Sequence, residues 1–501
     1  MESLDLLLNG FAQALTWQNL LYCILGVSVG MFVGVMPGLG PVAGTAILIP
    51  LTYGMDPTSA IIMLAGIYYG AMYGGTLTSV LINIPGEAAS VITCIDGHAL
   101  AKQGRAGVAL GVSAMGSFVG GIFALLGLTF IAPMLAKFAL RFGPPEFFTL
   151  MMVGLMMLIG LMGKSLVKGF IAAAIGLILS LVGIDPVSGA TRFTFGVPEL
   201  LGGIDFVIVA MGLFGISELL LNAESNQKME KPEKVTGLFP RKGEWAPAMK
   251  SIGRGTGLGF LIGLMPGANA VLASLASYTL EKKVSKEPSK FGKGAIEGVA
   301  GPETANNACS GSALIPLFTL GLPSSPTVAV IMGALIMHGL QPGPRLFQEN
   351  ADFVWAIIAS MFIGNLVLLV MNLPLANLWA KVVLIPYKIL LPLIMMFTMV
   401  GAYTVNNNMF DVGMMIAFGL IGYLMKKLDI PIAATVLTLV LGAEIEASLL
   451  QSLAISNGSF SIFFTRPIAA GLLALTAIII LTSVFAGMKK KKDMFSTDME
   501  I

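Results

Sequence analysis

Four short stretches gather the residues in this sequence that could do chemistry. "VMPGLG" (35–40) and "LMPGAN" (264–269) interrupt apolar runs with Pro37-Gly38 and Pro266-Gly267, and "NIPGEAAS" (83–90) and "GLPSSPTV" (321–328) interrupt two more. Proline removes a backbone donor and glycine enters left-handed geometry freely, so each break leaves carbonyl and N–H groups without helical partners. Within lipid those groups must be satisfied. A cavity for ions and an anionic substrate satisfies them, because free carbonyls suit a sodium ion and the N-terminus of the next half-helix suits a carboxylate.

This chemistry assigns two sets of residues. The substrate set is Gly38, Gly40 and Thr45 opposite Asn269 and Ser274, joined by Asn83, Gly86 and Ser90 and by Ser324, Ser325 and Thr327. The ion-binding or coupling set is Pro37, Pro266, Gly267 and Gly321, with Glu87, Asn306, Asn307 and Ser310. Ionisable groups inside membrane segments are functional candidates, and Glu87 is the best of them. Glu303 in "GPETANN" is comparable, though the nearby basic loop also allows an interfacial position. Asp96, followed closely by Lys102 and Arg105, reads as interfacial. His98 and His338 read as interfacial or packing residues, and the scattered Cys23, Cys94 and Cys309 form neither a disulfide framework nor a transition-metal cluster.

The elements that must hold these residues are membrane helices. Of 501 residues, 56% are hydrophobic and 11% charged, with mean hydropathy +0.88, and runs long enough to cross a bilayer recur from residue 17 nearly to the end. A net charge of +2 implies no nucleic-acid partner. No Lys or Arg occurs before Lys102, so the basic region of a cleaved signal peptide is missing. The expected fold is an all-α polytopic membrane protein of about 10–12 transmembrane segments.

The two halves repeat. Gly26, Gly30, Gly34, Met36, Pro37 and Gly38 correspond to Gly255, Gly259, Gly263, Met265, Pro266 and Gly267 at a shift of 229 residues, and Pro85 corresponds to Pro323 at 238. The second "MPG" segment is bounded by Lys and Arg on both sides and the first by none, which predicts two re-entrant hairpins entering from opposite faces. The reading is of two inverted repeats with broken helices, in an elevator-like transporter. Residues 1–222 form the N-terminal repeat, 223–254 a basic cytoplasmic linker, 255–488 the C-terminal repeat and 489–501 a cytoplasmic tail.

The pattern G-x3-G-x3-G-x2-P-G-x-G, followed by "YGG", "NIPGEAAS" and "DGHALAKQGRAGVALG", resembles the large membrane subunit of the tripartite tricarboxylate transporters over about residues 15 to 450. The resemblance implies a secondary transporter of the bacterial inner membrane, driven by Na+ or H+ without a nucleotide or other cofactor. It also implies a small membrane subunit and a periplasmic binding protein that captures citrate or another carboxylate. His98 and Ala99 depart from the family pattern, which has an aromatic residue and Pro there. The breaks contain no Lys or Arg, so Lys102, Arg105 or Arg345 are expected at the rim if a basic residue is used. Two other classes are weighed: an intramembrane serine hydrolase using "CSGS" (309–312) with His338, and a passive anion channel.

Overall fold

Gly26, Gly30 and Gly34 bring two helices into backbone contact: a Cβ at these positions would collide with the carbonyl oxygens of Met63, Ile67 and Ala71. Gly255, Gly259 and Gly263 meet the carbonyls of Gly301, Ala305 and Cys309 in the same way. The glycines are 229 residues apart and the carbonyls 238, which are the two shifts read in the sequence. Small-residue ridges allow such approach, and here they fix the hairpins against the long helices that follow them.

The computed structural model describes residues 2–36, 38–162, 165–185, 189–224, 235, 237–267, 269–382 and 387–497. In the first half, α1 (Glu2–Ala14) precedes the broken pair α2 (Trp17–Val35) and α3 (Gly40–Leu48), then α4 (Pro57–Ile82), α5 (Val91–Lys102) and α6 (Ala106–Ala139). After α7 (Pro144–Met162) and α8 (Leu166–Ser180), α9 (Phe206–Ala210) runs through the π-helical turn Met211–Ile216 into α10 (Ser217–Glu224).

The second half opens with the broken pair α11 (Trp245–Gly263) and α12 (Ala270–Val284). It continues through α13 (Glu297–Ser312), α14 (Leu314–Leu320), α15 (Pro326–Met337), the short α16 (Leu346–Glu349), α17 (Ala351–Asn372) and α18 (Ala376–Val382). The last elements are α19 (Tyr387–Asn406), α20 (Met409–Lys427), α21 (Ile432–Ile455), α22 (Ile462–Thr465) and α23 (Pro467–Thr497). α11 thus begins inside the stretch read as linker. The one sheet among the described residues pairs Gly183–Ile184 with Thr191–Arg192.

Seven helices are long and apolar enough to cross a membrane, and six shorter apolar helices accompany them among the described residues. This is a multi-pass α-helical membrane protein. Its helices group in two bodies by contact. One contains both broken pairs with α4, α6, α13 and α17, and the other contains α7, α8, α21 and α23, while α20 packs with α9, α10 and α19. The π-helical turn packs on α20 and meets α3 of the first body.

Polar links tie the halves together near the basic segments. Asp96 is 0% exposed and accepts N–H bonds from Gly292, Gly294 and Ala295 at 2.8–2.9 Å, with the Tyr278 hydroxyl at 2.9 Å. It is a buried anchor for the loop before α13, the loop that carries Lys290 and Lys293, and four donors replace its water. Arg105 joins Glu244 at 2.6 and 2.8 Å. Burial opposes the charge on Glu244, and the Arg105 guanidinium, the Arg241 N–H and the charges of both arginines together outweigh it, holding that carboxyl below the ordinary carboxylate range.

Candidate functional site

The breaks form matching turns. α2 ends at Val35, Gly38 has φ 85°, and α3 starts at Gly40; α11 ends at Gly263, Gly267 has φ 80°, and α12 starts after Asn269. Pro37 lies outside the described residues. α4 closes on Asn83 in left-handed geometry (φ 56°, ψ 29°), and α14 closes on Gly321 in nearly the same one (φ 69°, ψ 23°). Asparagine tolerates that region better than most side chains, so both residues end their helices alike. Four residues on, Glu87 (φ −142°, ψ 164°) and Ser325 (φ −146°, ψ 164°) both cap the next helical turn.

These turns converge on a cavity of ≈ 350 Å³. Its wall takes Gly38, Gly40, Gly86 and Glu87 from the first half and Asn269, Ser325 and Thr327 from the second. Tyr68, Met72, Cys309 and Ala313 give it an apolar side, and Phe214 and Glu218 close it from α9–α10. Sequence reasoning missed the last two, for which the only signal was an acidic residue late in an apolar run.

The N-termini of α3, α12 and α15 open onto this cavity. Asn269 Oδ1 accepts from Leu272 N at 3.0 Å, and Ser325 Oγ accepts from Val328 N at 3.3 Å. α3 has no side-chain cap bond from its N-cap residue, Leu39. Pro41 has no N–H, so Gly40 and Val42 supply the N–H groups at this helix start, and an anion is the ligand such groups favour.

Behind the wall lies a buried polar layer. Glu87 accepts from Ala89 N at 2.7 Å and from Asn306 Nδ2 at 3.2 Å. Asn307 donates to Ser117 Oγ at 2.8 Å and to the Glu303 carbonyl at 3.1 Å, and Ser310 donates to the Asn306 carbonyl at 2.9 Å. The Oδ1 atoms of Asn306 and Asn307 and the hydroxyls of Thr45 and Tyr69 are buried without a partner.

The other nominated residues stand outside the wall. Ser274 donates to the Pro302 carbonyl, Ser324 to the Ala313 carbonyl and Ser90 to the Glu87 carbonyl. Asn83 is exposed, Pro266 is half-buried, and Gly267 packs on the Leu158 backbone. Lys102, Arg105 and Arg345 are absent from the wall. The cation nearest in the bonding pattern is Lys426, which pairs with Glu218. His98 packs with Nδ1 3.0 Å from the Val80 carbonyl. His338 Nε2 lies 3.2 Å from Thr52 Oγ1, while Ser310 and Ser312 bond carbonyls of their own helix, so no Ser-His dyad forms between them.

A polytopic membrane protein with a cavity between two broken helix pairs has the architecture that transporters use. The chain belongs to the tripartite tricarboxylate transporter TctA family, which matches residues 20–437. It is 45% identical over 494 residues, 98% of each chain, to an uncharacterised 52.8 kDa protein of the TAR-I ttuC' 3' region of Agrobacterium vitis. It is also 46% identical over 235 residues to an uncharacterised protein of the TAR-II ttuC' 3' region of the same organism, covering 47% of this chain and 97% of that one. No solved structure matches.

Proposed function

We propose that this chain is the large membrane subunit of a binding-protein-dependent secondary transporter that imports carboxylates, tri-, di- or monocarboxylic, by symport with Na+ or H+. The observation that carries the reading is the single cavity built from the equivalent breaks of both halves, onto which three helix N-termini open. The matching turn dihedrals and ridge contacts support two structural repeats, and the one-sided distribution of Lys and Arg supports their inversion. Both hairpins belong to the same helix body, which supports alternating access by movement of that body against α7, α8, α21 and α23.

The partners in this reading are a small membrane subunit and a periplasmic binding protein, in the bacterial inner membrane with the C-terminus cytoplasmic. In this reading the coupling ion lies near Glu87 and Asn306, whose amide nitrogen bonds the Glu87 carboxylate and whose Oδ1 has no partner.

The test is accumulation of labelled carboxylate in proteoliposomes containing the chain and its partners under a sodium or proton gradient. Asn269→Ala and Ser325→Ala are expected to reduce accumulation while leaving a monodisperse protein. Normal uptake in both removes these residues from the site. Equilibration without accumulation against a gradient favours a passive channel.

A further inference from the structure

Glu303 is a buried carboxyl that the cavity does not use. It lies on α13, is 1% exposed, and accepts the Thr76 hydroxyl of α4 at 2.6 Å and the Thr93 hydroxyl of α5. Ser113 of α6 extends the set, donating to Thr76 Oγ1 at 3.5 Å. Three helices of the first half thus present hydroxyl groups to one carboxyl carried by the second. The titratable groups close enough to feel its charge are Glu87, Tyr73 on α4 and Cys94 on α5, and none of them is a cation.

Among the described residues no Lys, Arg or His pairs with Glu303 or Glu87. Other buried carboxylates among the described residues show the contrast: Glu281 has Arg254, Glu146 has Arg466, Glu297 has Lys290, and Asp96 has three backbone N–H groups and a tyrosine hydroxyl. A carboxylate sealed from water without such compensation is unfavourable, so a structural role alone leaves Glu303 unexplained. One helical turn further along α13, Asn307 carries a buried amide oxygen with no partner, on the face that Glu303 occupies.

We propose that Glu303 binds one monovalent cation, a sodium ion or a proton, with Thr76, Thr93 and Asn307 as its oxygen shell. The site is separate from the cavity, from which Glu303 is absent. Its coupling role rests on the transport reading above: α13 also carries Asn306, the partner of Glu87 in the cavity wall, so occupancy at Glu303 bears directly on the helix that shapes the substrate site.

Binding is tested on the purified chain without transport, by radioactive sodium binding and by infrared difference spectra of the wild type minus Glu303→Gln. The expected result is loss in the variant of either one bound sodium or one protonated-carboxyl band, and the signal lost identifies the cation. Thr76→Val, which keeps the carboxyl, is expected to weaken the same signal by about 10- to 100-fold in affinity. If neither signal changes in Glu303→Gln, the proposal is overturned. Substrate counterflow by the wild type, which needs no gradient, tests the transport reading independently: its absence removes that reading and leaves the binding result standing.

Discussion

The two hairpins share a turn and a glycine ridge, yet they satisfy their own polar groups differently. The second is closed on itself: Asn269 caps α12, and at its base Arg254 Nε bonds Glu281 Oε1 at 2.7 Å. In the first, Leu25 and Thr52 occupy the positions equivalent to that ion pair, Gly40 replaces the capping asparagine, and α3 spans 9 residues against 15 for α12. The Thr52 hydroxyl turns to the Ile49 carbonyl and to His338. The first hairpin therefore offers free N–H groups, and the second offers a rigid side-chain amide.

The largest effects come from the part that the hairpins share. Gly30→Val and Gly259→Val each drive side-chain atoms into a backbone carbonyl, of Ile67 and Ala305, and overpacking of this kind costs about 1–3 kcal/mol or more. Both variants are expected to lose monodisperse yield and thermal midpoint to a similar degree. A tolerated substitution in one hairpin alone would break their equivalence.

Next in size is Arg254→Met, which leaves Glu281 (1% exposed) unpaired. Since Arg254 is 37% exposed, the loss is discounted to about 1–3 kcal/mol, read as a fall in unfolding midpoint. No substitution at Leu25 should reproduce it through charge loss.

Asn269→Ala removes a helix cap worth about 1 kcal/mol and an amide from the cavity wall. Asn269→Asp separates the two roles: capping and stability should persist, while carboxylate affinity falls about tenfold with loss of the donor and addition of a like charge. Equal affinity for Asn269→Asp and wild type would confine Asn269 to capping. The smallest effect is expected for Ser325→Ala, at most about 1 kcal/mol in stability, since the hydroxyl bonds a single N–H at 3.3 Å.

Much of this was legible in the sequence because Pro and Gly leave few backbone choices. The Pro-Gly breaks, the glycine ridge and the left-handed turn at Gly321 follow from residue type alone. What the ridge touches did not follow, since Ile67 and Ala305 contribute only backbone carbonyls. Asp96 and Glu303 were ambiguous for a related reason: charges near a basic loop look alike in sequence, and burial is decided by helices distant along the chain. Hydroxyls such as Ser274 and Ser324 read as ligands, whereas each spends its proton on a nearby carbonyl. Phe214 and Glu218 reach the cavity from a helix with no motif and no assigned counterpart in the other half.

The central claim is that one cavity shared by both hairpins holds the carboxylate, and Thr327 lies in its wall. The most direct measurement is the alkylation rate of Thr327→Cys in a chain whose Cys23, Cys94 and Cys309 are replaced by alanine. A carboxylate that the wild type transports should slow labelling in a saturable way, and a neutral molecule of the same size should not. Labelling that proceeds at one rate with and without saturating carboxylate would contradict the account.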